Sequence, residues 1–193
     1  RSAWAAAVQY MDYGTIKETD TENNVLGDIS AKDMVFMGMY NYLLSDRWSG
    51  GVTAKLIHGN YAEYISYAIG IDLGINYFHE EKDFSASLTF KNLGGQIKTF
   101  DEHHEKLPTN LQVGISKRLA HAPIRISATL DDLLHWESAY YNPKGKDIDF
   151  GELLINHVVL GVEIAPSDRF YIAAGYNCKR TNELKVNGGS KWV

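Results

Sequence analysis

The feature that most constrains this chain is a strict alternation of residue types over residues 65–77. Every odd position carries a large apolar side chain, and the odd series reads Ile65, Tyr67, Ile69, Ile71, Leu73, Ile75 and Tyr77. Every even position carries a small or polar residue, and the even series reads Ser66, Ala68, Gly70, Asp72, Gly74 and Asn76. Successive side chains of a β-strand point to opposite faces, whereas a helix would mix the two sets. The segment is therefore predicted to be one long strand with two chemically opposite faces.

The same period of two recurs along most of the chain. The clear copies are at 84–91, 111–116, 124–131, 158–165 and 170–177, and weaker copies are at 4–11, 34–44 and 48–58. Turns rich in Gly, Asn, Asp and Pro separate these segments, which favours hairpin connections between sequence neighbours. The predicted fold class is all-β, with about nine antiparallel strands in up-and-down order.

Period two alone does not separate a soluble sheet from a membrane barrel, so the details of the two faces decide. The segment 65–77 is longer than most soluble strands and long enough to cross a membrane at a tilt. Its polar face carries small residues, which suit a crowded barrel interior. On its apolar face, Tyr67 and Tyr77 bracket an aliphatic middle, as interfacial girdles do. A transmembrane β-barrel is predicted, and a soluble lipocalin-like barrel is the alternative.

Composition narrows the class of protein further. The formal net charge of −5, with no basic stripe, excludes nucleic acid as a partner. The single cysteine, Cys178, excludes an internal disulfide and any multi-cysteine metal site, and we interpret it as a small buried or lipid-facing residue. Residues 1–193 are the size of one domain. The chain begins inside a predicted strand and ends after a Gly-Gly turn, so further N- and C-terminal strands are expected to complete the barrel.

One acid, Asp72, lies in the middle of the clearest strand, on its small-residue face. An unpaired carboxylate in a barrel interior is costly, so a cationic partner is expected. Lys55, Lys91 and Arg125 lie on polar faces of other predicted strands and are suitable partners. The four residues are predicted to form a luminal polar network, whose structural role we favour over binding of a substrate.

Other clusters of chemically reactive residues carry weaker patterns. Residues 101–105 (DEHHE) resemble metal ligands, but they lack the helical spacing that makes histidines converge, and a solvated acidic loop is the favoured interpretation. No strand-turn-helix nucleophile pattern occurs, so no catalytic residue, metal or cofactor is expected. Residues 131–137 interrupt the alternation and are predicted to form a short amphipathic turn or a loop anchored by Trp136.

Several stretches in chain order resemble one family of bacterial barrels. They are 9–14 (QYMDYG), 48–56 (WSGGVTAKL), 71–77 (IDLGINY), 91–98 (KNLGGQIK), and 119–123 (LAHAP) with the strand that follows it. The family is that of PorQ, outer-membrane barrels of the type IX secretion system, related to PorV and more distantly to FadL-type transporters. The LAHAP and NLGGQ stretches carry most of the specificity of this resemblance.

The resemblance implies a non-enzymatic subunit of the machinery that secretes proteins and attaches them to the cell surface. Its expected partners are outer-membrane lipid and the secretion proteins PorZ, PorU and PorV. The expected location is the cell outer membrane, as a multi-pass barrel. A FadL-like transporter of hydrophobic small molecules is the alternative, and it requires an apolar pocket inside the barrel. Candidate partner-binding loops are the polar segments 17–31, 79–83, 98–109 and 138–152.

Overall fold

The computed structural model describes residues 1–22, 24–61, 64–98, 106–136, 149–167 and 169–183. Within these residues lie nine strands: β1 (Ser2–Thr19), β2 (Val25–Leu43), β3 (Trp48–Tyr61), β4 (Tyr64–His79), β5 (Phe84–Lys98), β6 (Asn110–Arg118), β7 (Ile124–Leu130), β8 (Val158–Ser167) and β9 (Phe170–Asn177). Helix α1 (Phe150–Asn156) precedes β8, and helix α2 (Cys178–Glu183) follows β9. A 3-10 turn at Glu80–Lys82 joins β4 to β5.

The nine strands form one sheet whose order follows the chain from β1 to β9. The registers of β1 with β2, β2 with β3, β6 with β7, β7 with β8, and β8 with β9 are antiparallel. Each short connection therefore makes a hairpin between sequence neighbours. The predicted all-β class and up-and-down order are confirmed. In the described part of the chain the order is open at β1 and β9, so closure into a barrel stays a prediction.

The chain divides into two compact units. The first contains Arg1–Leu43, Ser49–Gly74 and Phe90–Thr109, and it therefore holds β1, β2, most of β3 and parts of β4 and β5. The second contains Leu44–Trp48, Ile75–Thr89 and the described residues from Asn110 onward. It holds the remainder of β3, β4 and β5, the strands β6 to β9, and both helices.

Strand β4 exposes its apolar face and buries its small-residue face. The odd residues from Ile65 to Ile75 are each between 38% and 47% exposed. Ser66 and Ala68, on the opposite face, are only 8% and 5% exposed. A soluble sheet with one covered face turns its aliphatic side chains toward the core instead. The alternation therefore has the orientation that the sequence predicts for a barrel whose outer wall is apolar.

Other strands repeat this sidedness. On β3, Val52 and Leu56 are exposed while Lys55 between them is half-buried. On β8, Leu160 and Val162 are exposed and flank the less exposed Gly161. Within the described residues the buried hydrophobic side chains are three: Ala31, Ala68 and Leu153. The described chain thus lacks the large aliphatic core that stabilises a soluble domain of this size.

The prediction that residues 17–31 form a polar loop is wrong. Strand β1 continues to Thr19 and β2 begins at Val25, so only a tight turn separates them. Cross-strand pairing, such as Lys17 opposite Asp28, extends the hairpin where the apolar alternation of the sequence has already ended. Opposite charges directly across a strand pair stabilise such a hairpin without an apolar face.

The helices add local structure that the alternation did not predict. Asp149 caps α1, because its side chain accepts a hydrogen bond from the backbone N–H of Gly151 at 3.2 Å. Cys178, predicted to be a small buried or lipid-facing residue, is the half-buried first residue of α2. No helix in the described part of the chain has the length and apolar character that a membrane span needs.

Candidate functional site

The strongest polar cluster of the first unit joins Asp72 of β4 to Lys55 of β3. The Lys55 Nζ lies 2.6 Å from the Asp72 Oδ2, and each side chain is only 16% exposed. Both side chains lie among small neighbours, since Gly70 and Gly74 flank Asp72 on the same face of β4. A charge pair that is this strongly shielded from water needs further hydrogen bonds to offset its lost hydration.

Asn92 of β5 supplies those hydrogen bonds. Its backbone N–H donates to the Asp72 Oδ1 at 2.8 Å, and its side-chain Oδ1 accepts from the Lys55 Nζ at 2.9 Å. Asn92 has a φ of 58°, in the left-handed region that asparagine tolerates better than most residues. The irregular backbone turns both the amide N–H and the side chain toward the ion pair. The three residues form a closed triangle of charge-assisted contacts.

The same asparagine holds the segment 106–109 against the small-residue face of the sheet. The Asn92 Nδ2 donates to the Pro108 carbonyl at 3.0 Å, and the Thr109 hydroxyl donates to the Asn92 carbonyl at 3.4 Å. Leu107 packs so closely on Gly70 that a Cβ on that glycine would lie 2.9 Å from the Leu107 Cδ1. We call residues 106–109 the inner strap. Its Leu107 side chain occupies the space beside Gly70 on this face of β4.

Gly94 permits the close approach of β5 to β4 beside this triangle. A Cβ on Gly94 would overlap the backbone oxygen of Ile69, which no side chain can accommodate without a shift of one strand. The next residue, Gly95, forms an isolated antiparallel bridge with Lys106. The two glycines thus let the end of β5 and the inner strap lie against β4.

A second cluster in the first unit centres on Asp33 of β2. Its carboxylate accepts hydrogen bonds from the hydroxyls of Tyr13 at 2.8 Å and Tyr61 at 2.8 Å. The two tyrosine rings stack with centroids 6.3 Å apart. Because one carboxylate of β2 binds a hydroxyl from β1 and a hydroxyl from β3, this cluster connects the three strands. We therefore assign it a structural role.

The second unit has its own buried cluster, at the connection between β7 and β8. His157 is fully buried, and its ring nitrogens lie 2.8 Å from the Leu153 carbonyl oxygen and 3.0 Å from the His135 carbonyl oxygen. The Trp136 ring stacks on the His157 ring with centroids 4.1 Å apart. Trp136 also stacks on Phe150 of α1, with ring centroids 6.4 Å apart. Trp136 therefore packs on protein rings while it stays 39% exposed, and its role as an interfacial anchor stays a prediction.

Acidic residues at the end of β7 fix the start of this connection. Asp131 accepts from the side chain of Asn110 at 2.9 Å, and Asn110 in turn accepts from the backbone N–H of Asp132. Asp132 has a φ of 59° and pairs with the His135 ring and with Lys179 of α2. These contacts hold a reversal of the backbone and present no nucleophile with an adjacent base.

Of the four residues predicted to share one network, the structure joins Lys55 and Asp72. Lys91 lies on β5 and is half-buried, one residue before Asn92. Arg125 lies on β7 in the second unit, where the register places it opposite Arg118 and Glu163. Asn92 was not predicted from the sequence to belong to this network. Its neighbours offered a signal, because the Asn-Leu-Gly-Gly sequence breaks the alternation and favours an irregular backbone.

Two further predictions concern metals and loops. The predicted acidic loop 101–105 and most of the polar segment 138–152 lie outside the described residues. Among the residues that the structure describes, no group of three His, Cys, Asp or Glu side chains could hold a metal ion.

No protein-family model matches this chain, and no curated protein matches it either.

Proposed function

We propose that this chain is part of an outer-membrane β-barrel whose apolar face contacts lipid. The observation that carries the proposal is the orientation of β4, where the aliphatic residues Ile69, Ile71 and Leu73 are exposed and the small residues opposite them are covered. In water this face would leave large apolar side chains hydrated, at a cost of roughly 25 cal/mol for each Å². Against hydrocarbon the same face is favourable, and pairing between neighbouring strands satisfies the backbone groups that lie within the sheet.

The inner face supports a structural role over transport of a hydrophobic compound. A transporter of that kind needs a continuous apolar pocket on the covered face of the sheet. In the first unit that face carries the Lys55–Asp72 ion pair, and the inner strap packs Leu107 onto Gly70. A face that carries an ion pair and a packed leucine favours a rigid wall over a continuous apolar pocket. The FadL-like transporter is therefore the weaker alternative.

Within this proposal, the role that we assign is a non-enzymatic subunit of the type IX machinery for protein secretion and surface attachment. The support is the resemblance to the PorQ family of several stretches that follow one another in chain order. One of them, 91–98, contains Asn92 with its irregular backbone and the closely packed Gly94. The connection 119–123, which carries the other specific stretch, links β6 to β7. Function would then reside in segments that project from the wall, since lipid covers its outside.

A matched pair of lysine substitutions on β4 tests the membrane proposal. Ile71→Lys places a charge on the apolar face, which costs roughly 2–4 kcal/mol at the bilayer midplane. Asn76→Lys places the same charge on the covered face of the same strand. We expect Ile71→Lys to reduce the yield of folded chain in outer-membrane fractions, while Asn76→Lys leaves it near the unsubstituted level. Recovery of the unsubstituted chain as a monodisperse monomer without detergent would contradict the proposal.

The secretion role needs a separate test in native membranes. Gentle detergent extraction of the tagged chain, followed by mass spectrometry, is expected to recover PorZ-, PorU- or PorV-like components. A matched control is an unrelated outer-membrane barrel of similar abundance, tagged and extracted in the same way. Recovery of the chain in the membrane fraction without any secretion component would leave the barrel proposal standing and refute the secretion role.

A further inference from the structure

The first hairpin extends beyond the rest of the sheet. Strand β2 pairs with β1 from Val25 to Tyr42, but its pairing with β3 begins only at Ala31. Residues 15–19 of β1 and 25–30 of β2 therefore form a two-stranded extension, which we call the projecting ribbon. In the described part of the chain, the edge of β2 along residues 25–30 has no neighbouring strand.

Strand length places the projecting ribbon outside a bilayer. Strands β1 and β2 contain 18 and 19 residues, whereas a tilted strand needs roughly 9–11 residues to cross the hydrocarbon. The surplus is about eight residues on each strand, which exceeds the residues that the ribbon takes from β1 (15–19) and from β2 (25–30). A bulge marks the base of the ribbon, because the register shifts between Asp12 and Thr15 and Gly14 has a φ of 77°.

The tip of the ribbon is ordered by one aspartate. The Asp20 carboxylate accepts hydrogen bonds from the backbone N–H groups of Glu22 at 2.9 Å and Asn24 at 2.8 Å, and from the Asn24 side chain at 2.9 Å. The Asn24 side chain, followed by the backbone donors, lowers the pKa of the Asp20 carboxyl below its ordinary value. A tip that is fixed in this way holds the free edge of β2 in an extended conformation.

The free edge combines backbone hydrogen-bonding capacity with apolar and acidic side chains. Alternate residues of an edge strand direct their N–H and C=O groups away from the paired neighbour. Val25 and Leu26 are 59% and 64% exposed. The ribbon and its turn carry one lysine and four acids, for a net charge of −3, and these are Lys17, Glu18, Asp20, Glu22 and Asp28.

We propose that the β2 edge of the projecting ribbon binds an extended basic segment of a partner protein by strand addition. The backbone of residues 25–30 would supply the hydrogen bonds, and the acids of the ribbon would select the charge of the partner. Val25 and Leu26 are exposed on opposite faces of β2, so each would give an apolar contact to the added strand on its own face. This proposal rests on the proposed function in one respect, which is that the ribbon lies outside the bilayer.

Binding of synthetic peptides to the full chain in detergent tests this proposal. The probes are fluorescent eight-residue peptides that alternate valine with lysine, valine with glutamate, and lysine with proline. We expect the valine–lysine peptide to bind at least tenfold more tightly than the other two at low ionic strength, and to weaken as salt is added. Equal affinity for the acidic peptide, or no binding of any peptide, would overturn the proposal.

Hydrogen exchange locates the bound strand. The valine–lysine peptide is expected to slow amide exchange in residues 25–30, without a comparable change at the paired β2 residues 36–42. The variant Glu18→Gln with Glu22→Gln leaves the Lys17–Asp28 pair in place but removes two charges, and it should weaken binding severalfold. Protection elsewhere, or concentration-dependent protection of 25–30 without peptide, which would indicate a second copy of the chain, would refute the assignment.

The outcome is separable from that of the membrane proposal. Solubility without detergent would contradict the barrel while leaving peptide binding measurable. If the chain folds in detergent but binds no basic peptide, the barrel proposal stands and the proposal of binding at the β2 edge is refuted.

Discussion

Removal of the Asp72 carboxylate is the perturbation with the most defined energetic consequence. Asp72→Ala leaves the Lys55 ammonium without its partner at 2.6 Å and removes the acceptor of the Asn92 backbone N–H. The Lys55 side chain cannot recover full hydration where it stands, because it is only 16% exposed. The substitution should therefore destabilise the first unit and loosen the inner strap, which Asn92 holds through Pro108.

The expected magnitude follows from the burial of the pair. Breaking a fully buried ion pair costs roughly 3–5 kcal/mol, and breaking an exposed one costs less than about 1 kcal/mol. With 16% exposure on each side chain, we expect Asp72→Ala to lower the free energy of unfolding by about 3 kcal/mol. Asp72→Asn retains an acceptor for the Asn92 N–H, so its loss should be smaller, about 2 kcal/mol.

The assay is reversible urea unfolding in lipid vesicles or detergent, followed by tryptophan fluorescence. A double-mutant cycle with Lys55→Ala is expected to give a coupling of about 2 kcal/mol. Lys32→Ala is the matched control, because Lys32 pairs with Asp12 at 3.7 Å while both side chains are more than 40% exposed. Its loss should stay under about 1 kcal/mol. Additive effects of Asp72→Ala and Lys55→Ala, or equal losses for Lys55→Ala and Lys32→Ala, would refute the reasoning.

Three further predictions concern other parts of the fold. Gly94→Ala should lower the yield of folded chain, measured by heat-modifiable gel mobility, because its Cβ would meet the Ile69 carbonyl; unchanged mobility would contradict the close packing. Trp136→Ala should reduce the free energy of unfolding by about 2 kcal/mol and speed amide exchange near His157, on which it stacks. At pH values above the ordinary aspartate pKa, the ionised Asp20 carboxylate should keep its turn ordered. The turn should lose that order as the pH falls through the lowered pKa of Asp20. Amide exchange at residues 20–24 measures this, and a pH-independent rate would count against it.

The strands could be predicted from the sequence because each has a local chemical pattern. Alternation at 65–77 or 158–165 reports which residues share a face, and the structure confirms these strands. The ends of the first hairpin could not be predicted in this way. Residues 17–19 and 25–30 are held by pairing across the hairpin, and that pairing leaves no apolar period in either segment alone.

The candidate network could be predicted in part for the same reason. A charge on a face of small residues marks Asp72 within its own strand, and Lys55 is a cation on a neighbouring strand. Asn92 could not be found by alternation, because its left-handed backbone turns it toward the ion pair against the period of its strand. The burial of His157 involves stacking by Trp136, which lies 21 residues earlier in the chain, and a contact over that separation leaves no local pattern in the sequence.

The orientation of β4 is the central claim, and spin-label accessibility measures it directly. In a Cys178→Ser background, single cysteine substitutions at Ile69, Ile71, Ala68 and Asn76 would carry a nitroxide in lipid vesicles. Oxygen concentrates in hydrocarbon, whereas a polar nickel complex is excluded from it. The account predicts high oxygen accessibility and low nickel accessibility at Ile69 and Ile71, with both collision rates low at Ala68. High nickel accessibility at Ile69 and Ile71 would contradict it.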